Sequence, residues 1–88
     1  MKFRTRPTAP QEVDAVQLAI DTVDECIRFL GNRYTCVETD SLTQEVALCF
    51  RSDNGGYFTV RQWQWIVRDG NGFQVMDYDF FQKKYEAV

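Results

Sequence analysis

The chain has no histidine among its 88 residues, so the side chain that most often carries protons at neutral pH is missing. A serine, threonine or cysteine nucleophile would need a lysine or carboxylate as its base, and neither G-x-S-x-G nor S-x-x-K occurs. No glycine-rich loop able to cradle phosphates is present. Cysteine is scarce: Cys26, Cys36 and Cys49 are an odd number without a CxxC pair, which fits neither zinc-ligand spacing nor a disulfide framework. Each has apolar neighbours and reads as a small, buried free thiol of a reducing compartment. No apolar run approaches the ~20 residues that span a bilayer, and the first residues lack the apolar stretch of a secretion signal. The expectation is a cytoplasmic protein that is not an enzyme, with no metal, no cofactor and no membrane attachment.

Charge of one sign is also in short supply. Thirteen acidic and ten basic residues are interspersed and give a net charge of −3, so no broad positive field is available to hold a phosphate backbone. Direct nucleic-acid binding is disfavoured on that ground. Lys2, Arg4 and Arg6 are a local exception. They read either as an exposed edge strand blunted by charge or as a phosphate-binding arm.

What is present suits one domain, residues 1–88, around one core: 44% of residues are apolar and 26% charged. Residues 1–11 carry both prolines, Pro7 and Pro10, and read as an extended N-terminal arm or edge strand. Residues 13–18 alternate as a first core strand. Thr22-Val23-Asp24-Glu25 fits a capping box, after which Val23, Cys26, Ile27 and Leu30 recur on one helical face with Phe29 beside it. Gly31 is placed to end that helix in a left-handed conformation. Segments 34–39, 45–52, 57–61, 65–68 and 73–76 read as strands, with Asp53-Asn54-Gly55-Gly56 and Asp69-Gly70-Asn71-Gly72 as turns. A helical turn from Asp79 followed by an extended end closes the chain. The predicted fold is α+β, one short helix packed on a curved antiparallel sheet of four to six strands.

Aromatic residues stand out. Thirteen of 88 are Phe, Tyr or Trp, and nine fall within residues 57–85. The most distinctive run is Arg61-Gln62-Trp63-Gln64-Trp65, with Tyr57 and Phe58 upstream. In an extended strand Trp63 and Trp65 share one face. Turned inward they fill much of a small core; turned outward they form a platform for a base or a protein partner. At least one ring is expected in the core, which leaves the other for function. Asp77 and Asp79 read as a capping and turn device in preference to a catalytic pair.

Both ends of the chain carry further signatures. The start is Met1-Lys2-Phe3-Arg4-Thr5-Arg6-Pro7, followed by Asp14-Ala15-Val16-Gln17. The finish is Tyr78-Asp79-Phe80-Phe81-Gln82-Lys83-Lys84-Tyr85-Glu86-Ala87-Val88, and the helix closes on Phe29-Leu30-Gly31. In these features the chain resembles a group of small phage and prophage proteins. Those proteins begin Met-Lys-Phe-Arg, a basic residue or two and Pro, and end Pro-Asp-x-Phe-Glu-x-x-Tyr-Glu-x-Val. The group often has Gly-Asp-Trp or Gly-Asp-Tyr where this chain has Trp63-Gln64-Trp65. The resemblance implies a phage-encoded accessory protein working in the host cytoplasm, and it brings no catalytic residues with it.

Three functions stay open. The first is binding to a host protein or complex, as an inhibitor of a nucleic-acid-targeting defence system of the anti-CRISPR or anti-restriction kind, through Tyr57, Trp63, Trp65, Asp77 and Asp79. The second is a sponge for a nucleotide signal, stacked between aromatics, with phosphates held by Arg61, Arg68 or the Lys2, Arg4 and Arg6 arm. The third is a small structural phage component. A homodimer is compatible with each.

Overall fold

The computed structural model describes residues 2–5, 12–52, 55–69 and 72–87. In chain order these form strands β1 (Lys2–Thr5) and β2 (Glu12–Gln17), helix α1 (Val23–Leu30), strands β3 (Tyr34–Thr39), β4 (Val46–Arg51), β5 (Tyr57–Arg61), β6 (Trp65–Asp69) and β7 (Gly72–Met76), helix α2 (Tyr78–Lys84) and strand β8 (Tyr85–Ala87). Two antiparallel sheets result: five strands in the order β7-β6-β2-β1-β8, and three in the order β3-β4-β5. The α+β class holds. A single sheet with one helix does not, because the segment between β5 and β6 turns the chain out of one sheet and into the other.

Alternation along β2 explains the layering. Val13 and Ala15 face one side, Val16 faces the other, and all three are buried. A strand apolar on both faces has to be covered twice. On one side Val16, Leu18 and Ile66 pack with Cys26 and Leu30 of α1 and with Leu48, Phe50 and Val60 of the smaller sheet. On the other side Ala15, Trp65, Val67 and Met76 pack with Phe3, Phe81 and Tyr85. Aromatic geometry fixes this second core: the Trp65 and Phe81 rings stack at 4.0 Å, and Phe3 meets both edge-on at 5.1 and 4.9 Å. Helix α2 follows β7 at one edge of the sheet and leads to β8 at the other, so its buried Phe81 covers the face that α1 leaves open.

Several local expectations are corrected. Thr22 and Glu25 form no capping box. The Thr22 hydroxyl reaches backward instead, accepting from the Ala19 N–H at 2.8 Å and donating to the Gln17 carbonyl at 2.7 Å, which pins the 3₁₀ turn Ile20–Thr22 to the end of β2. Gly31 has a positive φ of 60° with ψ of −127°, so it ends α1 in a glycine-favoured region outside the left-handed helical basin. Strand β1 lies between β2 and β8 and is not an edge strand. Cys26 is buried as expected, but Cys36 and Cys49 are only half-buried and stand directly opposite each other across β3 and β4. Arg6, both prolines, Asp53, Asn54, Gly70, Asn71 and Val88 lie outside the described residues, as do the side chains of Arg4 and Glu86.

Candidate functional site

Residues 61–64 form a β-turn closed by the Gln64 N–H donating to the Arg61 carbonyl at 3.0 Å. Its third residue, Trp63, has φ of +76°, while Gln62 stays at negative φ. This is the type II pattern, and it places a tryptophan where glycine is strongly preferred. A non-glycine residue held there costs on the order of 1–3 kcal/mol and persists only where its surroundings enforce it. Here they do. The Trp63 N–H donates to the Leu18 carbonyl at 2.7 Å, its own carbonyl accepts from Gln17 Nε2 at 3.0 Å, and the Leu18 N–H donates to the Gln64 carbonyl at 2.9 Å.

The flanking glutamines are braces. Gln62 Oε1 accepts from the Val46 N–H at 3.1 Å, tying the turn to the start of β4. Gln64 uses both ends of its amide: Oε1 accepts from the Arg61 N–H at 2.8 Å, and Nε2 donates to Asp77 Oδ1 at 2.7 Å. Asp77 precedes α2 at the N-cap position, yet its carboxylate makes no cap bond and binds the turn instead. Helix α2 is thereby anchored beside Trp63.

The turn reverses one sequence expectation. Trp63 and Trp65 do not share a strand face. Trp65 is 8% exposed and belongs to the core beneath α2, whereas Trp63 is 55% exposed. The Trp63 indole borders two clefts. One, about 430 Å³, is lined by Gln17, Trp63, Tyr78 and Asp79; the other, about 320 Å³, includes Thr22, Asp21, Glu25, Trp63 and the buried Trp65 in its wall. The Trp65 indole Nε1 is buried without a hydrogen-bond partner among the described residues, although a buried donor normally has one. Tyr78 is 49% exposed, so the two rings and Asp79 present an aromatic and acidic surface together.

Of the residues singled out from the sequence, Trp63, Asp77 and Asp79 are brought together here, with Trp65 behind them. Tyr57 is exposed at the far end of β5 and lines neither cleft. Gln17, Asp21, Glu25 and Tyr78 were not foreseen. Only Tyr78 carried a signal, as the ring between two aspartates. Among the described residues, the cations singled out from the sequence do not come together at one site. Lys2 and Arg68 both pair with Asp14, at 3.6 and 3.0 Å, and the Arg68 guanidinium also lies 4.8 Å over the Phe29 ring. The hydrogen bond from Arg68, aided by Lys2, holds the Asp14 carboxyl below its ordinary pKa. Arg61 borders a different depression, with Glu38, Asp40 and Glu45. Among the described residues no three metal-ligating side chains converge, and no helix is long and apolar enough to cross a membrane. No protein-family model, curated protein or solved structure matches the chain.

Proposed function

We propose that this protein works by binding another protein through the surface around Trp63, Tyr78 and Asp79. The observation that carries this is the exposed indole held rigidly in an unfavourable backbone conformation. Such strain persists where function requires a fixed side chain, and a pre-positioned tryptophan beside a second aromatic is the usual make-up of an interface hot spot.

The lining indicates the partner's chemistry. Asp21, Glu25 and Asp79 border the two clefts, and among the described residues no lysine or arginine does. An arginine or lysine side chain seated on the indole face, with its charge directed at these carboxylates, complements such a surface. Proteins that grip nucleic acid expose such side chains. That chemistry, together with the resemblance of the chain's two ends to small phage proteins, supports an inhibitor of a host nucleic-acid-targeting defence complex, acting in the host cytoplasm.

Capture from host extract tests this with tagged wild-type protein, Trp63→Ala and Tyr57→Ala. A host protein retained by wild type and Tyr57→Ala and lost with Trp63→Ala supports the proposal. Equal retention by folded Trp63→Ala refutes it.

A further inference from the structure

The outer face of the three-stranded sheet carries a thiol pair that plays no part in the Trp63 surface. Cys36 of β3 and Cys49 of β4 are register partners, brought opposite each other below a register shift between Tyr34 and Cys36. Directly opposed residues of antiparallel strands have Cα atoms roughly 4.5–5.5 Å apart, inside the roughly 4.4–6.8 Å that a disulfide bridges. Both residues are half-buried and therefore accessible to small reagents. The facing Cys49 sulfur raises the pKa of the Cys36 thiol, and Cys49 Sγ lies 3.8 Å from Thr59 Oγ1. Cys26 is different: it is fully buried against Thr22 and the Gln17 carbonyl, and burial pushes its thiol up to about 11.

We propose that Cys36 and Cys49 are a reversible dithiol–disulfide site that exchanges with low-molecular-weight disulfides of the glutathione type. One thiolate attacks a sulfur of the small disulfide, forming a mixed disulfide and releasing the first small thiolate, which takes up a proton. The facing cysteine then loses its proton, attacks the protein-bound sulfur and closes the Cys36–Cys49 bond, expelling the second small thiol. Two thiols are oxidised, one small disulfide is reduced to two thiols, and the register of β3 and β4 is unchanged. A reducing dithiol runs the sequence backward.

Intact-mass analysis of the folded full-length chain, equilibrated in oxidised and reduced glutathione and followed by non-reducing peptide mapping, tests the site. The expected product is lighter than the reduced protein by two hydrogen atoms, contains one Cys36–Cys49 linkage and carries no glutathione. Cys26 is expected to resist alkylation until the protein is unfolded. Cys36→Ser and Cys49→Ser are each expected to stop at a single glutathione adduct on the remaining partner. Stable glutathione on both cysteines of the wild type, a linkage to Cys26, or unchanged mass in the most oxidising buffer overturns the proposal.

Discussion

Two tryptophans separated by one residue have opposite tasks, and the backbone at Trp63 is the reason. Replacing Trp65 with alanine removes the ring that stacks on Phe81 and should cost about 3–5 kcal/mol, seen as a large loss of denaturation midpoint. Trp63→Ala should cost less than about 1 kcal/mol, because the ring is more than half exposed and its removal leaves no sealed cavity. Trp63→Gly should leave the melting temperature unchanged or raise it, since glycine accepts the positive φ without strain. A marked loss of stability with glycine would show that the indole is structural. Asp14 gives a test by pH. Its folded pKa lies below its ordinary value, so its pairing stabilises the fold above about pH 4 and that contribution disappears as pH falls through the folded pKa. Asp14→Asn should therefore lower the melting temperature slightly at neutral pH, and the difference from wild type should vanish on acidification. The conformation of Trp63 was not legible in the sequence, because the type II position carries no glycine. Period-two alternation therefore put Trp63 and Trp65 on one face.

Among the elements, α1 and the strand segments were legible because apolar periodicity marks them directly. The helix start was misread because a threonine hydroxyl can satisfy amides on either side, and here it turns back toward Ala19 and Gln17. Gln64 in turn shows how one side chain holds a functional turn. Gln64→Ala removes the bonds to the Arg61 N–H and the Asp77 carboxylate, and should cost about 1–2 kcal/mol. It should also weaken partner binding while leaving the indole itself in place. Unchanged affinity would separate the turn brace from the contact surface. The cysteine pairing was within reach of the sequence. A hairpin that sets residue 39 opposite 46 also sets 36 opposite 49, but composition alone presented the three thiols as scattered.

For the whole molecule, the α+β class follows from alternation and one amphipathic helix, whereas the division into two sheets does not. The chain from β5 to β6 reads as one polar and aromatic run, and the backbone hydrogen bonds that Leu18 accepts from Trp63 and donates to Gln64 show where it leaves the smaller sheet for the larger. That same crossing carries Trp63 outward, so the transition between sheets and the candidate surface are one feature. Charge acts at this scale too: −3 over the chain is too weak for general mimicry of nucleic acid, whereas carboxylates beside two exposed rings give a local complement to a basic partner. The most direct measurement is the dissociation constant of the captured partner for wild type and Trp63→Ala, with the melting temperature of each recorded alongside. Weakening by about 30-fold or more with an unchanged melting temperature is expected, as for an interface hot spot. Affinities equal within error, at equal stability, contradict a binding role for this surface.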